Sequence, residues 1–169
     1  MQFHLSVETD KYPIKDLALL KEIIAQVISI SKIDQVLPEL EKSINIVLMD
    51  DQQITEINET YLQHEGPTDV ISFDYIDDYE PEFIEEDDED AFVVGELYIS
   101  IDTALRQAEE FSTIFQEELV LYIAHGMLHL IGYDDHCDED IKEMRAAEKR
   151  VMTGLKEVID RFDFIWQTA

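Results

Sequence analysis

The stretch 119–136, LVLYIAHGMLHLIGYDDH, constrains this 169-residue chain more than any other. From 119 to 131 it is apolar nearly all round, which marks a helix buried on every side. Its only polar side chains there are Tyr122, His125 and His129. Spacings of three and then four put all of them on one helical face. Gly132 follows, the residue type that ends helices in the left-handed conformation. Asp134, Asp135 and His136 come directly after it. Any fold that contains this stretch must build a core around a central helix and also partner two buried imidazoles, because an unpaired polar group away from water costs stability.

A metal ion is the partner that fits best. Histidines at i and i+4 direct ring nitrogens at one point, and zinc accepts such ligands. Two ligands hold zinc poorly, so a third is expected nearby. Metzincin-type sites have histidines at +4 and +10 from the first and a glycine at +7. Counted from His125, those positions are His129 (+4), Gly132 (+7) and Asp135 (+10), with His136 at +11. A carboxylate is an acceptable zinc ligand, whereas ligand softness favours an imidazole. Asp135 and His136 are therefore both candidates. Cys137 is adjacent and reads first as a free thiol, with a ligand role as the alternative. Zinc proteases carry a general-base glutamate directly after the first histidine. Gly126 stands there instead, so the metal geometry comes without the protease's base.

The remaining composition sets bounds. The length suits one domain, 1–169, with a real core. No apolar run reaches membrane-spanning length, and the N-terminus lacks a signal-peptide core. The single cysteine excludes an intrachain disulfide. These features point to a cytoplasmic protein that uses no membrane. The net charge of −28 argues against nucleic-acid binding driven by overall charge. An RNA contact would require a local basic patch or a bound cation.

Periodicity along the chain predicts a strand over Gln2–Val7 and an amphipathic helix over Leu17–Ser31 capped by Asp16. It predicts a second strand over 43–49, then a helix opened by Asp50 and Asp51 and buried through Ile54, Ile57 and Tyr61. Further strands are expected over 68–75 and 93–101, with Gly95 marking a bulge or a close backbone approach. Ten of the fourteen residues in 77–90 are acidic, which reads as a solvated, mobile loop. Asp102 is expected to cap the next helix, and Thr113 with Gln116 to form a capping box at the start of the histidine helix. Asp138 is expected to cap a last helix with the apolar stripe Ile141, Met144, Ala147, Val151, Leu155, Val158 and Phe162. The order βαβαββααα implies an α+β fold, a four-stranded sheet packed with about five helices around the central metal-site helix. On the last helix, Lys142, Arg145, Lys149 and Lys156 fall within about a sixth of a turn. They form a candidate phosphate-contacting stripe on an otherwise acidic chain.

Three stretches together resemble the YbeY family of metal-dependent bacterial endoribonucleases. HGMLHLIGYDD, 125–135, is similar to the family's H-G-x-L-H-L-x-G-Y-D-H in the same register, with Asp135 at the final histidine position and His136 just after it. PTDVISF, 67–73, and GELYIS, 95–100, resemble two of its strands. Leu62 stands where the family commonly has arginine, which leaves His64 or the basic stripe to contact phosphate. The resemblance implies an α+β fold and one zinc ion on three side chains. It also implies a role in maturing the 3′ end of small-subunit rRNA and in ribosome quality control, with rRNA and the ribosome or ribosomal proteins as partners and no small-molecule cofactor.

The chemistry expected on this basis is single-strand-specific phosphodiester hydrolysis. His125 and His129 are the catalytic candidates, and His125, His129, Asp135 and His136 the metal candidates. Tyr122, Asp69 and Thr68 are candidates for orienting the ligands. The alternative is a non-catalytic ribosome-assembly factor with a structural metal, for which four protein ligands are expected.

Overall fold

Alternation along β2 (Lys42–Met49) shows how this chain is layered. Ile44, Ile46 and Leu48 point into the main core, while Val47 and Met49 join a smaller cluster on the opposite face. β2 pairs in parallel with β1 (Gln2–Val7) and with β4 (Phe92–Ser100). β3 (Val70–Asp74) adds antiparallel to β4, giving the order β1-β2-β4-β3. The computed structural model describes residues 1–83 and 90–161.

Five helices complete the α+β fold: α1 (Leu17–Ser31), α2 (Asp51–Ile57), α3 (Ile101–Phe111), α4 (Phe115–Leu130) and α5 (Asp138–Asp160). α2 covers the smaller cluster with Ile54. α1, α4 and α5 pack on one another, and α4 lies against β3 and β4. Leu119, Val120, Ile123, Ala124 and Met127 of α4 are fully buried. Each large one contributes roughly 1.5–3 kcal/mol relative to exposure. The expected central helix is therefore present, beginning four residues earlier than its apolar run and ending at Leu130, just before Gly132, whose φ is +103°.

Two glycines let α4 approach the sheet. A Cβ on Gly126 would lie 2.8 Å from Leu97 Cδ2 and 3.2 Å from Ser72 Oγ. A Cβ on Gly95 would lie 2.7 Å from both Leu130 Cδ1 and the Phe73 carbonyl oxygen. Ser43 faces Val93 and Ile44 faces Gly95, so Val94 is the extra residue of a bulge. Gly95 thus marks both a bulge and a close approach.

Asp16 caps α1 as expected, and local chemistry departs from expectation at the starts of α3, α4 and α5. Ser100, not Asp102, caps α3, accepting from the Thr103 N–H at 3.1 Å. β4 passes into α3 without a connecting residue, so Asp102 already lies in the first turn, where it accepts from Lys11, Tyr12 and the Asp51 N–H. Thr113 and Gln116 form no capping box. Ile114 occupies the cap position, and Thr113 Oγ1 donates to the buried Glu118 at 2.7 Å. Cys137, not Asp138, stands at the cap of α5, with the expected acids in the first turn.

A π-helical turn, Asn58–Leu62, extends α2 and rotates its face. Tyr61 is consequently 68% exposed rather than buried, and Asn58 turns inward to donate to the Gly66 carbonyl. β3 is shorter than the expected 68–75 because Asp69 and its neighbours form the loop entering it. In the acidic stretch, Ile76–Asp78 and Pro81–Phe83 form short 3-10 turns, and 84–89 lie outside the described residues. Phe162 and the tail after it lie outside them as well.

Candidate metal centre

α4 supplies His125 and His129 one turn apart, with His125 in the wall of a cleft of about 480 Å³. Their rings stand nearly perpendicular, and their Nε2 atoms converge to 2.9 Å. The turn after Gly132 brings Asp135 back, with Oδ2 3.8 Å from His129 Nε2. Donor atoms of His125, His129 and Asp135 all lie within 4.8 Å of one another.

The two candidates for the third position stand differently, although Asp135 also groups with Asp134 and His136. Asp135 joins the histidine pair, whereas His136 is 83% exposed at its side chain and lies 3.3 Å from Asp134. Cys137 is exposed and belongs to no cluster with the histidines among the described residues.

Glu148 was not apparent from the sequence. His125 Nδ1–H donates to Glu148 Oε1 at 2.6 Å. An ionised carboxylate only accepts, so the ring proton sits on Nδ1 and the Nε2 lone pair faces His129 and Asp135. Holding an imidazole this way fixes its tautomer and raises its basicity toward a metal. The signal existed: Glu148 lies four residues after Met144 and three before Val151, on the edge of the buried stripe of α5.

Electrostatics divides the two rings. Burial pushes the His125 imidazole down, but the Glu148 hydrogen bond and charge outweigh it and the net shift is upward. Burial and then the neighbouring His125 push His129 down, with partial offset from Asp135. His129 is thus biased toward the neutral form that ligates metals.

The other predicted residues distribute as follows. Asp69 lines the cleft, but its Oδ1 accepts from the Val70 N–H and the Thr68 hydroxyl rather than from a ligand imidazole. Tyr122 lines the cleft on α4, and Arg145 lines it on α5. His64 sits in a separate surface depression with Glu59 and Glu65. Among the described residues, Lys142, Arg145 and Lys149 form no ion pair, whereas Lys156 lies 4.0 Å from Asp160.

The donor set, two neutral-capable imidazole nitrogens and a carboxylate oxygen on an open cleft, fits a divalent metal ion. Because Glu148 sets the His125 tautomer, Glu148→Gln is expected to weaken zinc affinity about 10–100-fold in a competition titration against a chelator. Unchanged affinity would show that the 2.6 Å contact does not prepare the ligand.

Known proteins resemble this chain along most of its length. The family described as Endoribonuclease YbeY matches residues 4–156. A protein named Endoribonuclease YbeY from Thermoanaerobacter sp. (strain X514) is 38% identical over 141 residues, covering 80% of this chain and 87% of that one. One of the same name from Lachnoclostridium phytofermentans is 34% identical over 163 residues, covering 90% and 95%. The solution structure of TM1509 from Thermotoga maritima superposes with a TM-score of 0.60 at 26% identity, covering 96% of this chain and 97% of that one.

Proposed function

This chain belongs to the YbeY endoribonuclease family, and from that premise we propose that it is a zinc-dependent, single-strand-specific endoribonuclease acting in small-subunit rRNA 3′-end maturation and ribosome quality control. The observation that carries this reading is the convergence of His125 and His129 Nε2 at 2.9 Å beside Asp135, on an open cleft. His125, His129 and Asp135 hold the ion. Zinc bound there supplies Lewis acidity toward a phosphoryl oxygen and makes water acidic enough to act as nucleophile near neutral pH.

The chain's own residues do the rest. Glu148 keeps the His125 proton on Nδ1 and away from the metal side. Asp135, half exposed, would supply the third ligand oxygen from the turn after Gly132. Arg145, which forms no ion pair among the described residues, brings its guanidinium to the cleft rim, where a phosphate oxygen is its natural partner. Gly126 stands where zinc proteases carry their general-base glutamate, consistent with a nucleophile activated by the ion.

A purely structural zinc would take four protein ligands. The cluster offers three, and Cys137 stands outside it among the described residues, which supports the catalytic reading over the assembly-factor one. Among the described residues no helix is long and apolar enough to cross a membrane. The proposed setting is the cytoplasm, with rRNA as substrate and basic ribosomal proteins drawn by the −28 charge.

The test is cleavage of precursor small-subunit rRNA, free or in preribosomal particles, by zinc-loaded protein. Cleavage that a chelator abolishes and zinc restores is expected. Intact RNA in both forms of substrate would contradict the proposal. Charge reversal at Lys142, Arg145 and Lys149 is expected to weaken single-stranded RNA binding and to lower the slope of log K against log salt by about 2. An unchanged slope would return the stripe to ordinary surface.

A further inference from the structure

Tyr122 is 6% exposed and lines the cleft, yet its hydroxyl makes no hydrogen bond to any described residue. Buried tyrosine hydroxyls ordinarily find a partner, and an unpartnered one costs stability. Other tyrosines of this chain obey that rule: Tyr12 donates to Asp102, and Tyr75 and Tyr98 both donate to Glu96. Tyr122 lies one turn before His125 on the same face of α4, so whatever occupies the metal cleft comes within its reach.

The cleft lining narrows the choice of partner. Asp69, Asp135 and Glu148 are carboxylates, and Leu121, Ile141 and Met144 are apolar. His125 commits Nδ1 to Glu148 and Nε2 to the metal side. An anion entering here finds one donor on the α5 wall, Arg145, and one on the α4 wall, Tyr122. Burial, followed by the charges of Glu118 and Asp69, raises the phenol's pKa, so the hydroxyl stays protonated and remains a donor. Charged phosphoryl oxygens are the strongest acceptors that RNA can bring.

We propose that the Tyr122 hydroxyl donates a hydrogen bond to a non-bridging oxygen of the RNA phosphate bound in the cleft. This makes Tyr122 a substrate-binding residue on the wall opposite Arg145. The inference rests on the nuclease reading above and adds a contact that the metal ligands do not provide.

The test is Tyr122→Phe, which keeps the ring and removes one oxygen. Expected is a fall of about 10–100-fold in kcat/KM on single-stranded RNA. Zinc content should be unchanged, and the thermal midpoint equal to or above that of the wild type, since an unsatisfied polar atom has been deleted. A merely structural hydroxyl would give the opposite pattern, a lower midpoint with activity falling alongside it, and that result overturns the proposal. So does kcat/KM within twofold of wild type. Inorganic phosphate binding to the zinc-loaded protein, followed by calorimetry, separates this contact from the parent reading. If wild type cleaves no RNA, the nuclease reading fails. Phosphate binding weakened about tenfold by Tyr122→Phe would still support the contact, and equal binding would overturn it.

Discussion

His129→Ala is expected to give a folded protein that retains no zinc and cleaves RNA at least about 1000-fold more slowly than wild type. The magnitude follows from losing both the Lewis acid and the acidified water, together several kcal/mol of barrier lowering, at roughly 1.4 kcal/mol per tenfold in rate. His129 is a cleaner site to truncate than His125. Removing His125 would strand the Glu148 carboxylate, which is only 19% exposed at its side chain. Among the described residues His129 has no such carboxylate at hydrogen-bond distance, Asp135 lying 3.8 Å away and half exposed. Its loss is therefore expected to leave the thermal midpoint nearly unchanged. Elemental analysis and a single-turnover cleavage assay check this together. Metal lost with cleavage retained would show that the ion does not carry the reaction.

Gly95→Ala is expected to have the largest effect on stability for the smallest change in volume. The added Cβ would meet the Phe73 carbonyl oxygen at 2.7 Å and two Leu130 methyls at 2.7 and 2.8 Å. Leu130 can shift, but the carbonyl belongs to the neighbouring strand and moves only if β3 moves. Overpacking of this kind costs about 1–3 kcal/mol, or a fall of roughly 3–10 °C in Tm for a chain of this size. Because α4 rests on this bulge through Leu130, the substitution should also loosen the histidine pair and weaken zinc binding. Calorimetry of the zinc-free protein isolates the packing term. An unchanged midpoint would mean that β3 and β4 accommodate a methyl, and that the close approach does not position the site.

Much of this arrangement was legible in the residues because it follows from period and chemistry. The all-round apolar run of α4 announced a central helix, and histidines at i and i+4 within it announced two imidazoles turned toward one point. Gly132 announced the turn that returns the acids. Gly95 in a strand announced the bulge. What escaped the reading depends on how elements meet in space. Glu148 partners His125 across two helices, and a lone glutamate at the edge of an apolar stripe reads as solvated surface until α4 and α5 are packed together. Tyr61 read as buried because a regular α-helix was assumed, and the π-helical turn at Asn58–Leu62 changed the phase. Ser100 caps α3 because β4 runs straight into it, a junction that periodicity blurs by a residue or two. Gly126 read as the absence of a protease base. The structure adds the steric reason, since Leu97 and Ser72 leave little room for a side chain there.

The most direct test of the central claim is zinc content and coordination of the purified protein, by elemental analysis and X-ray absorption, for wild type, Asp135→Ala and His136→Ala. One zinc per chain is predicted in wild type and in His136→Ala, with two imidazoles, one carboxylate oxygen and a solvent position, and little or none in Asp135→Ala. Zinc held through His136, a shell closed by Cys137 sulfur, or no stoichiometric metal in the wild-type protein would contradict a catalytic centre built on His125, His129 and Asp135.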